Sequence, residues 1–91
     1  MSHACHAPGC QTATPRRLLF CRRCWMLVTP AHRADVNREF AAIGGVAPCR
    51  PSLPYLAAVS EARADVMAAN GMDPALMRAA AARYRRMGGE E

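Results

Sequence analysis

Four cysteines near the start of the chain are the residues best suited to do chemistry. They fall as C-x4-C-x10-C-x2-C, from Cys5-His-Ala-Pro-Gly-Cys10 to Cys21-Arg-Arg-Cys24. A two-residue interval lets both sulfurs of a tight turn reach one metal ion about 2.3 Å away, and two such pairs complete a tetrahedral zinc site. Pro8 and Gly9 supply a turn before Cys10. Thr14-Pro15-Arg16-Arg17 has Pro at the second position of a type I turn, which predicts a very short hairpin between residues 11–13 and 18–20. His3 and His6 are nearby alternatives to Cys5 as a ligand.

A catalytic zinc keeps an open position with an acid or base beside the bound water. Residues 1–29 contain no Asp or Glu, so the expectation is a structural ion and no enzyme. Redox work by Cys21 and Cys24 is disfavoured because no βαβ pattern surrounds them. Trp25 follows the last ligand directly, to pack or to meet a partner. Cys49 lies between Pro48 and Pro51, with no neighbouring histidine or cysteine to activate it.

The elements that must hold this site are helical, and the expected fold class is mainly α: a zinc knuckle with a short β-hairpin, followed by about three helices. Residues 1–29 form the zinc-binding module, and 30–91 form the helical part of the same single domain. Thr29 and Pro30 open a helix over about 30–43, with Val36, Phe40 and Ile43 on one apolar stripe; Asp35, Glu39, Arg33 and Arg38 make its solvated face. His32 lies in its first turn with no evident partner as a metal ligand. Residues 44–53 read as a linker, and a second helix covers about 54–69, with Leu56, Val59, Arg63 and Val66 tracing one face. Asp73 and Pro74 start a third over about 74–87, striped by Leu76, Ala80, Tyr84 and Met87. Its small residues make it a candidate homodimer surface.

Ninety-one residues with 52% apolar content but only 5% aromatics promise a thin core, so a metal staple is expected. No apolar run approaches the ~20 residues of a membrane span, and the N-terminus lacks the pattern of a secretory signal; a cytoplasmic location with reduced thiols is expected. The net charge of +5 points towards nucleic acid or an acidic partner, with Arg16, Arg17, Arg22 and Arg23 as the contacts. Four thiolates and one divalent ion would lower that charge to about +3.

The run Arg17-Leu18-Leu19-Phe20-Cys21-Arg22-Arg23-Cys24-Trp25, with the cysteine pair before it and Val28-Thr29-Pro30 after it, resembles the small zinc-knuckle proteins of bacteriophages and prophages. Pro51-Ser52-Leu53-Pro54-Tyr55-Leu56-Ala57-Ala58 resembles the opening of their second helix, and the likeness spans about residues 3–66. The family pattern has histidine where this chain has Cys24, an exchange that preserves tetrahedral zinc binding. The resemblance implies origin and fold, since the family itself supplies no established reaction. Together these features predict a noncatalytic module that attaches to and modulates a bacterial host protein. The alternative is a zinc-finger-like nucleic-acid binder.

Overall fold

The computed structural model of the protein describes residues 2–15, 19–42 and 52–89. Two short antiparallel strands, β1 (Ser2–Ala4) and β2 (Ala13–Pro15), come first, followed by α1 (Arg22–Leu27), α2 (Pro30–Ala42), α3 (Leu53–Ala69) and α4 (Ala75–Gly89). The mainly helical class expected from the sequence is the one observed. Cys49, Ile43, Arg16 and Arg17 lie outside the described residues.

The hairpin differs from the one expected. β2 pairs with the N-terminal strand in the register Ser2↔Pro15, His3↔Thr14 and Ala4↔Ala13. Thr14 and Pro15 are therefore strand residues and Leu19 and Phe20 lie in a bend, while the expected turn at 14–17 lies partly outside the described residues. The reason is local: Thr14 is fully buried, and its hydroxyl donates to the Thr12 carbonyl at 3.0 Å, which favours extended chain there. Among the described residues there are four helices, one more than expected. The extra one, α1, is six residues long and too short to be stable alone. It is fixed from inside by Cys24 and, just beyond its end, by Val28, each 1% exposed.

α3 is the central element, with α1, α2 and α4 all packed on it. Its position explains why burial runs almost all round its middle and is not confined to one stripe: Tyr55, Ala58, Val59, Ala62 and Val66 are buried, with Leu56 and Arg63 half-buried. Ser52 caps it, accepting from the Tyr55 N–H at 3.2 Å, and Gly71, at φ 76°, follows its C-cap Asn70. On α4 the buried face is shifted from the expected stripe. Ala81 is fully buried, and Met77, Ala80, Tyr84 and Gly88 are half-buried, whereas Leu76 is 83% exposed and Met87 is exposed. Small residues at this face let α4 approach α3 closely. Asp73 accepts from the Ala75 N–H at 3.0 Å, so it serves the expected start, and the helix continues through Gly89.

α2 is tied to α3 by a cluster that the sequence did not reveal. Asp65, buried on α3, accepts from both the N–H and the hydroxyl of Thr29, each at 3.0 Å, and lies 2.6 Å from His32 Nδ1. His32 Nε2 lies 3.3 Å from Glu61, and Arg78 from α4 reaches Asp65 at 3.3 Å. His32 is thus a partner of two carboxylates. Thr29 stands at the start of α2 as expected, with its hydroxyl given to Asp65.

Candidate metal centre

The turn at residues 7–10 closes as its Pro-Gly step predicts: Gly9 adopts φ 82°, and the Cys10 N–H donates to the Ala7 carbonyl at 3.1 Å. The Cys5 N–H bonds to the Thr12 carbonyl and the His6 N–H to the Leu19 carbonyl, both at 2.9 Å. These bonds hold the first cysteine pair against the second. Cys21 sits at the N-cap of α1 and Cys24 one turn later, so the helix presents both sulfurs on one side.

The four sulfurs lie within 4.8 Å of one another and could hold a metal ion. Cys10 Sγ and Cys21 Sγ are 3.8 Å apart. An ideal tetrahedron with metal–sulfur bonds of about 2.3 Å has sulfur–sulfur edges of about 3.8 Å, which the Cys10–Cys21 separation matches. Cys5, Cys21 and Cys24 are buried and Cys10 is partly exposed. The Cys21 N–H donates to Cys5 Sγ at 3.2 Å, an outer hydrogen bond that orients a ligand sulfur.

The thiols respond to these surroundings in opposite directions. Burial raises Cys5 and, together with the crowding of the other three sulfurs, raises Cys24 strongly. The hydroxyl and backbone of Thr12 favour the Cys10 thiolate and bring it down to about 6, and the backbone of Cys24 lowers Cys21. Four thiols so close cannot all ionise without a compensating positive charge, which a divalent ion supplies.

The centre is continuous with the hydrophobic core. Cys5, Cys21 and Cys24 join Phe20, Val28, Val36, Ala62 and Val66 in one buried cluster. Of the alternative ligands, His6 is turned to Arg63, with Nδ1 3.3 Å from the guanidinium, and is not among the clustered groups; the side chain of His3 lies outside the described residues. Arg22 and Arg23 are exposed in the first turn of α1. Trp25 is half-buried and stacks on Phe20, with centroids 6.1 Å apart and planes at 23°.

The site residue that sequence reasoning did not single out is Phe40 in its relation to Trp25. Leu19, Phe20 and Trp25 from the cysteine module, with Val36 and Phe40 from α2, line an apolar groove of about 360 Å³ whose polar rim is Arg22 and Asn37. No periodicity within one element announces a groove shared by two. No helix among the described residues is long and apolar enough to cross a membrane. No protein-family model, curated protein or solved structure matches the chain.

Proposed function

We propose that this chain is a noncatalytic binding module of phage or prophage type, stapled by one structural zinc ion, that attaches to a host protein in the bacterial cytoplasm and modulates it. The observation that carries this reading is the cluster of four cysteine sulfurs within 4.8 Å of one another, built into the core. Four protein ligands close the coordination sphere, leaving no position for a reacting water, and an all-sulfur tetrahedral set suits zinc. The same module carries exposed Met26 and Leu27 beside Arg22 and Arg23, a surface suited to a partner.

Native mass spectrometry should find one zinc per chain, and a chelator should unfold residues 1–29 first, as read by amide exchange. Metal-loaded protein should recover a stoichiometric protein partner from bacterial lysate that chelated protein does not. Recovery of nucleic acid alone would sink the reading.

Nucleic-acid binding by Arg16, Arg17, Arg22 and Arg23 is the second reading, favoured by the exposure of Arg22 and Arg23. It requires a gel shift that weakens steeply with salt.

A further inference from the structure

We infer that the groove between α1 and α2 is a docking site for an amphipathic helical segment of another protein, carrying two apolar anchors flanked by acidic side chains. This rests on the binding-module reading and names the chemistry of the partner. The groove's base is buried Phe20 and Val36, and its walls are Leu19, Trp25 and Phe40. At about 360 Å³ it stands at the small end of ligand pockets, which run from about 300 to 1,000 Å³. That size suits neighbouring anchors at i and i+4 of a helix laid in a groove.

Charge selects the rest of the partner. Among the described residues, Arg22 is the one charged residue on the groove lining, and Arg23 is exposed beside it in the same turn. Neither forms an ion pair among the described residues, whereas Arg38, Arg78 and Arg85 all do. The acids of α2 cannot neutralise this rim from their own helix, because Asp35 and Glu39 line a different depression with Arg38 and Tyr84. A basic rim around an apolar slot favours carboxylates at the ends of the occupant. The same charges oppose a second copy of this chain, since a two-fold contact on this face brings the Arg22–Arg23 turns of both copies together.

Trp25 is the sole tryptophan, so its emission reads the groove directly. The metal-loaded full chain is titrated with a synthetic helical peptide bearing Leu and Phe at i and i+4 with flanking Glu, and with its Lys-flanked counterpart. The acidic peptide should shift Trp25 emission and bind about tenfold tighter, the ratio given by one favourable charge contact. Arg22→Glu should reverse the preference, and Arg83→Glu, the same charge change on an exposed α4 residue, should leave it intact. Circular dichroism and metal content check that both variants are folded.

Equal binding of both peptides, no shift with either, or equal loss from R22E and R83E overturns the proposal. So does a concentration-dependent Trp25 shift without peptide, accompanied by dimer in sedimentation, which would assign the groove to a second copy. A lysate partner still captured by R22E at undiminished yield would overturn the groove while leaving the binding-module reading standing.

Discussion

At the scale of single residues, two sites carry opposed electrostatic demands. Cys24 sits deepest in the sulfur cluster, where burial and the neighbouring sulfurs of Cys21, Cys10 and Cys5 resist its ionisation. A metal ion reverses that demand, and any neutral fourth ligand of suitable reach should serve as well. On the zinc proposal, Cys24→His should therefore retain one zinc per chain by native mass spectrometry, and Cys24→Ala should lose it. Asp65 is the other site. Burial alone would raise its carboxyl, but the Thr29 N–H, the His32 ring and the Thr29 hydroxyl together outweigh it and hold it below the usual carboxylate range. The stabilisation this brings is fully present above the ordinary carboxyl value of about 3.9 and is lost as pH falls through the lower folded value. Asp65→Asn should cost about 3 kcal/mol at neutral pH, as removal of one partner from a buried charged cluster does. Urea midpoints measured below about pH 4 should then fall more steeply for the parent chain than for this variant.

At the scale of elements, start signals were legible because capping is local chemistry. Ser52 followed by Leu53-Pro54 begins α3 one residue before the expected start, and Asp73 with Pro74 begins α4 beside its expected start. The hydroxyl of Ser52 satisfies one N–H that the helix cannot, so Ser52→Ala should lower stability by about 1 kcal/mol in urea titration. α1 and the β1–β2 pairing were not legible. Six residues of helix and three of strand hold no periodicity to detect, and both depend on contacts across the cysteine module. The register of α4 was misjudged for a related reason. Leu76 and Met87 are the larger apolar residues, but the face that reaches α3 is the one whose small side chains permit close approach, centred on Ala81.

For the molecule as a whole, the cysteine cluster and the helical core are one buried cluster. The cysteine cluster continues through Phe20, Val28 and Val36 to the alanines of α3, and α4 closes the far side. Tight α3–α4 contact leaves no room for a larger residue where Ala81 stands: Ala81→Leu should cost about 2 kcal/mol by overpacking, read as a lower thermal midpoint with unchanged metal content. What the sequence by itself determined was the cysteine quartet, the helical class and three of the four helices, because ligand spacing, capping and periodicity act over a few residues. Tertiary structure alone decided which strands pair, that His32 meets Asp65 and Glu61 across helices, which face of α4 is buried, and that Trp25 and Phe40 share a groove. The cysteine quartet contains both lessons. Its spacing announced a candidate site for one ion, but only the folded chain shows the four sulfurs to lie at an end of the hydrophobic core.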